Sequence, residues 1–120
     1  MLLNLSNHPS PHWPPEQLAA AAAYGPVRDL PFPHIPPEAS TAEVRRMAEE
    51  YLAQIQELGR ESGPVTVHLA GELTFVYLLA GLLREAGIPC VVGTTSRLVT
   101  EEADGRKVSH FRFVQFRSYW

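Results

Sequence analysis

Asn7 and His8 follow one short apolar run, Glu72 and Thr74 follow a second, and Thr94, Thr95 and Arg97 follow a third. These residue types have complementary uses around a phosphate ester. An imidazole moves protons near neutral pH, amides and hydroxyls fix oxygens, and a guanidinium offers a planar donor fork with permanent charge. One metal-independent reaction suits the set: a ribose hydroxyl attacks its adjacent phosphate. In that reaction His8 assists proton transfer, Arg97 stabilises growing phosphate charge, and Asn7 with Thr94 or Thr95 fixes the reacting oxygens. Glu72 is an alternative base. Its plainer role is that of an acid near a helix N-terminus, holding Thr74 or a backbone amide. Ser6 adds a hydroxyl beside Asn7, and Gly71 allows a tight turn with exposed backbone donors.

These groups need a frame that brings them to one edge. The run Val65 to Ala70 reads as a strand, Gly71 as its turn, and Leu73 to Ala86 as an amphipathic helix. The next apolar run, Pro89 to Val92, begins two residues after Gly87, so the order fits a parallel strand-helix-strand crossover better than a hairpin. Met1 to Leu5 is a further candidate strand, and the proline-rich stretch Ser6 to Pro15 an ordered loop after it. Glu16 to Tyr24 has strong helix propensity, and Val27 to Leu30 reads as a short edge strand. Pro31 to Pro37 wraps across one face with Phe32 and Ile35 as anchors. Ala42 to Leu58 places Val44, Met47, Ala48, Tyr51, Leu52, Ile55 and Leu58 on one helical face, with the helix ending over Gly59 to Gly63. Leu98 to Thr100, a turn at Ala103-Asp104-Gly105 and a longer strand from Val108 to Phe116 close the chain. In that last strand alternation assigns Val108, His110, Arg112, Val114 and Phe116 to one face and Phe111, Phe113 and Gln115 to the other.

The expected architecture is α/β: a compact Rossmann-like three-layer fold with a mainly parallel central sheet and a C-terminal β-hairpin. Ligands in such folds sit beyond the C-terminal strand ends, which gathers Ser6-Asn7-His8, Gly71-Glu72-Thr74 and Thr94-Thr95-Arg97. A strand carrying polar side chains would give the same letters at Thr94 to Arg97.

A chain of 120 residues predicts one domain over 1–120. Its formal charge of −3 argues against a broad basic surface for long nucleic acid, while leaving room for a local anion pocket. No apolar run approaches a membrane span and no signal-like segment opens the sequence, so a cytoplasmic protein without membrane association is expected. Cys90, the single cysteine, sits in an apolar strand pattern and reads as core. His8 and His12 have Pro9 and Pro11 between them, which removes the helical paired-histidine geometry, and neither a metal nor a cofactor is expected. A phosphate-loop lysine pattern, a glycine-rich dinucleotide turn and a serine nucleophile elbow are all lacking. His68 follows strand parity inward, His12 and His34 read as surface residues, and the aromatic C-terminus Phe116 to Trp120 suggests a partner contact.

The opening Leu3-Asn4-Leu5-Ser6-Asn7-His8-Pro9-Ser10, the middle His68-Leu69-Ala70-Gly71-Glu72-Leu73-Thr74-Phe75 and the late Thr94-Thr95-Ser96-Arg97 carry a resemblance that spans almost the whole chain. It is to the small CRISPR-associated Rossmann-like (CARF-like) proteins of the type III defence ring-nuclease group. The resemblance implies a homodimer that binds a cyclic oligoadenylate across its two-fold axis and, in ring-nuclease members, cleaves it without a metal. The roles it carries over fall on Ser6, Asn7, His8, Gly71, Glu72, Thr74, Thr94, Thr95 and Arg97. A non-enzymatic cyclic-nucleotide sensor or sponge, and a structural protein-interaction domain, are the alternative readings.

Overall fold

Leu2, Leu3 and Leu5 surround one polar residue, Asn4, and all four are buried, so this strand is covered on both faces as a central parallel strand requires. In the computed structural model, which describes residues 1–120, it forms β1 (Leu2–Leu5). β2 (Val27–Asp29) lies on one side of it and β3 (Thr66–Leu69) on the other, with β4 (Cys90–Glu101) and β5 (Lys107–Ser118) beyond β3. The sheet order is β2-β1-β3-β4-β5. The first four strands are parallel, and β5 returns antiparallel to β4 as a C-terminal hairpin. The protein is therefore α/β, with a mixed, mostly parallel sheet.

Strand alternation divides the core between the two faces. Leu3, Leu5, Val67, Leu69 and Cys90 meet α2 (Thr41–Ser62) and α3 (Leu73–Glu85). Leu2 and Val91 meet Trp13 and Ala21, the last from α1 (Pro15–Ala21). Full burial of each such leucine contributes about 1.5–3 kcal/mol, so the α2/α3 face holds most of the stability. Ser40 starts α2 by accepting the Glu43 N–H at 3.1 Å. The helix ends within the expected stretch Gly59 to Gly63: Gly59 is still helical, and termination comes at Gly63, whose φ of 88° leaves the helical region. Phe32 and Ile35 anchor the proline strap to this core, and Phe32 meets Phe75 edge-on at 5.2 Å.

The hairpin differs most from expectation. Residues 94–97, which the ligand reading gathered at a strand end, lie instead in the outer half of one continuous strand that runs on through Leu98 to Thr100 as expected. Val91 pairs with His68 and β3 stops at Leu69, so β4 beyond Gly93 leaves the parallel sheet and projects with β5 by roughly 25 Å. With solvent reaching both faces of that arm, polar residues are tolerated throughout it. Alternation along β5 also breaks. Thr94 opposes Gln115 and Thr95 opposes Phe113, which leaves Val114 as an extra residue in a β-bulge. Phe116 thereby moves to the face of Phe111 and Phe113 instead of the face assigned by simple parity.

No helix is long and apolar enough to cross a membrane.

Candidate functional site

The connections leaving β1 and entering β3 diverge: β1 feeds the edge strand β2, and the chain then crosses back through α2 to β3 on the other side. Such a switch point opens a crevice at the C-terminal strand ends. Asn7, Phe32, His34 and Glu72 line a cavity there of about 400 Å³. Through Ile35 and Glu72 it joins a larger, more apolar groove of about 820 Å³ that includes Arg45, Thr74 and Tyr77.

Glu72 is committed to the first turn of α3. One carboxylate oxygen accepts the Thr74 N–H at 3.1 Å, the other accepts the Phe75 N–H at 2.8 Å, and the Thr74 hydroxyl donates to both. The Phe75 amide, followed by the hydroxyl and amide of Thr74, holds this carboxyl below the usual range, which makes it a weak base. It also occupies the position at the helix N-terminus where a phosphate would otherwise bind. Gly71 lies directly under the Phe32 ring, where an added Cβ would collide with ring carbons. The close approach of that ring, more than a ligand, explains the glycine.

On the opposite face of the sheet a row of polar groups crosses three strands. Register aligns Asn4 with Asp29 of β2 and with His68 of β3. The Asn4 amide nitrogen donates to Asp29 Oδ1 at 2.7 Å and to the His8 carbonyl at 2.9 Å, and its Oδ1 lies 2.9 Å from His68 Nδ1. Ser6 Oγ donates to the same Oδ1 at 2.8 Å and accepts the His8 N–H at 3.2 Å. Ser10 binds Asp29 through both its amide and its hydroxyl, and Trp13 Nε1 donates to the His8 carbonyl at 2.9 Å. The loop after β1 is therefore fixed by its backbone, leaving the Asn7 and His8 side chains exposed. Burial works to raise the Asp29 pKa, but the hydrogen bonds from Asn4 and Ser10 outweigh it and hold the carboxyl low.

His68 is the buried titratable group of this row. Trp13 and Phe116 stand edge-on to its ring, each at 5.4 Å between centroids. Burial first, and the neighbouring His8 second, lower its pKa to about 4, so the ring is neutral at neutral pH. Cys90, on the other face, is pushed up to about 12 by burial and behaves as the expected core residue.

The structure thus brings Asn7, Gly71 and Glu72 to one crevice and sets Ser6 and His8 beside the polar row. It does not bring Arg97 to them. Arg97 lies six residues beyond Val91, which is level with His68, and so roughly 20 Å out along the arm. There its Nε and Nη2 donate to Ser109 Oγ at 3.2 and 2.9 Å. Thr94 and Thr95 sit at the base of the arm, with the Thr94 hydroxyl donating to the Gln115 carbonyl at 3.2 Å. His12 and His34 are exposed, and no three His, Cys, Asp or Glu side chains converge as a metal-ligand set. Part of the aromatic C-terminus serves the chain itself: the Tyr119 hydroxyl donates to the Leu69 carbonyl at 2.6 Å.

Sequence reasoning missed Asn4 and Asp29. A signal was present, since Asn4 is the one polar residue inside Met1 to Leu5. A buried amide in an all-leucine strand needs partners, and partners on adjacent strands form a network.

Fold and site together define an α/β protein with a switch-point crevice on one side of the sheet and a polar row centred on Asn4 on the other. The chain belongs to the family described as Uncharacterized protein MJ1673 family, whose model matches residues 1–117. No curated protein and no solved structure matches it.

Proposed function

We propose that this protein is a ring nuclease. It binds a cyclic oligoadenylate such as cyclic tetra-adenylate and opens the ring by attack of a ribose 2′-hydroxyl on the adjacent phosphate, without a metal. The observation that carries the reading is the divergence of connections at β1 and β3, with Asn7 and His8 on the loop beyond one strand end and Gly71 and Glu72 beyond the other. The resemblance of the stretches Leu3 to Ser10 and His68 to Phe75 to the ring-nuclease group is the second reason for this reading. On this reading the fold is Rossmann-like with three layers, the protein acts in the cytoplasm in type III antiviral defence, and a two-fold ligand is bound by a homodimer.

His8, whose side chain is exposed, transfers a proton at the reacting centre, and Asn7 orients the ligand. Glu72, Gly71 and Thr74 shape the crevice for sugar and base, since a carboxylate already sits on the α3 amides. Ser6 sets the loop, Thr94 and Thr95 form the floor at the arm, and Arg97 meets a phosphate remote from the one that reacts.

The test is incubation of the purified protein with cyclic tri-, tetra- and hexa-adenylate, with and without a chelator, with products separated and binding measured in parallel. Chelator-resistant conversion to linear adenylates is the expected result. Binding without conversion would make the protein a sensor or sponge. Neither binding nor conversion would overturn the nucleotide reading and turn attention to Leu73 and Tyr77, which are 81% and 79% exposed on α3, as a protein contact.

A further inference from the structure

We infer that the open edge of the β4-β5 arm pairs with the same edge of a second copy of this chain, β4 against β4, about a two-fold axis through Val99. The inference concerns how two chains meet and needs no ligand, so it goes beyond the nucleotide reading above.

The edge is unsatisfied. β3 ends at Leu69, one residue past the His68–Val91 pair, so β4 beyond Gly93 has β5 on one side and no strand on the other. The Cys90 carbonyl accepts from the Tyr119 N–H and the Glu102 N–H donates to the Arg106 carbonyl, both on the β5 side. Backbone groups alternate in direction along a strand, so Thr95, Arg97, Val99 and Glu101 turn their amides and carbonyls to the open edge. A row of that kind is a template for another strand. Leu98 and Val99 are 52% and 54% exposed beside it, and a two-stranded ribbon on its own is marginal in water.

Charge selects a second copy as the occupant. A two-fold axis perpendicular to the sheet keeps every side chain on its own face. With Val99 on the axis, Arg97 opposes the partner's Glu101 and Glu101 opposes the partner's Arg97, while Val99 opposes the partner's Val99. All three are edge-facing positions, so each facing pair exchanges two backbone hydrogen bonds. Thr95 opposes the partner's Ala103, so the pairing fills the edge from just beyond β3 to the hairpin turn. Centred on Arg97, two arginines would meet; centred on Leu98, each Arg97 would face a valine. Only the axis at Val99 matches the charges.

The two charges are available. The ion pairs within the chain are Arg60–Glu57 and Arg106–Asp104, which leaves Arg97 and Glu101 without an oppositely charged partner. In the ligand-free protein Ser109 takes Nε and Nη2 of Arg97, and Nη1 remains for a carboxylate. Lys107 flanks Glu101 and Phe111 flanks Arg97 on β5, so the joined four-stranded sheet carries a row of alternating charge: Lys107, Glu101 and the partner's Arg97. The same two groups set an unmatched charge against any strand that lacks this pattern.

The experiment measures self-association of the full chain without nucleotide, by sedimentation at rising concentration. It compares the native protein with Arg97→Glu and with the double exchange Arg97→Glu/Glu101→Arg, beside oxidative cross-linking of Val99→Cys and Ser96→Cys. The native chain is expected to be a dimer. Arg97→Glu sets like charges opposite each other and is expected to weaken it about 10-fold or more, and the double exchange to restore it. Val99→Cys places two thiols on the axis, at a Cα separation of about 5.5 Å that a disulfide spans. Ser96→Cys holds its thiols far apart along the paired strands, so only the first variant is expected to cross-link rapidly; the buried Cys90 takes no part. A native monomer, a dimer indifferent to Arg97→Glu, a loss that the double exchange fails to recover, or Val99→Cys that cross-links no faster than Ser96→Cys overturns the inference. Since no nucleotide is present, a dimer of this kind without cleavage keeps the interface and rejects the ring nuclease, and cleavage by a protein lacking this pairing does the reverse.

Discussion

Phe113 and Phe116 stand on the same face of β5 with ring centroids 5.0 Å apart, although they are three positions apart in the strand. The extra residue Val114 makes this possible, because one bulged position restores the phase that strict alternation would lose. Deleting Val114 is expected to remove the bulge and leave both rings on the same face, because they then stand two positions apart and regular alternation suffices. An aromatic NMR or near-ultraviolet dichroism spectrum would check it, and loss of the aromatic signature would count against Val114 as the extra residue.

His68 makes stability depend on pH in a defined direction. Its folded pKa of about 4 lies below the ordinary 6.5, so between these values the unfolded chain holds the extra proton. Folding should keep this contribution above pH 6.5 and lose on the order of 3 kcal/mol of it as pH falls through about 4. Urea unfolding across that range should slope accordingly in the native protein and less steeply in His68→Gln; equal slopes would remove His68 as the source.

Gly71 is set by the Phe32 ring above it. Gly71→Ala is expected to cost about 1–3 kcal/mol through overpacking. Combining it with Phe32→Leu should recover much of that loss in a double-mutant cycle. Additive losses would show that the two positions do not interact.

The Ser40 cap offers a local test of helix capping. Ser40→Ala removes the acceptor for the Glu43 amide and should destabilise the protein by about 1 kcal/mol in denaturant melts. A larger loss would mean that the start of α2 contributes more than its cap.

Elements with strong period were legible in the sequence. The α2 stripe from Val44 to Leu58 packs on the sheet as its three- and four-residue spacing requires, and the strand-Gly71-helix unit lies where its pattern put it. Glu72 as a helix-end acid was also readable, because capping is a local interaction. What escaped was register. Nothing local in Asn4, Asp29 and His68 says that they fall side by side, since 25 residues separate the first pair and 64 separate Asn4 from His68. The same holds for Thr94 to Arg97, whose letters fit a ligand loop until β5 is seen to pair with every one of them. Side-chain chemistry can be read in sequence order, but distances across a sheet cannot.

The polar row also acts on how the sheet is assembled. β1, β2 and β3 contain only four, three and four residues, and three leucines in β1 offer almost nothing to tell one alignment from the next. A slip of one place would set a leucine between Asp29 and His68 and drive the Asn4 amide into the hydrocarbon beneath α2 and α3. The row therefore works as a key with one fitting position: of the alignments that hydrophobic collapse alone would tolerate, only this one seats the amide.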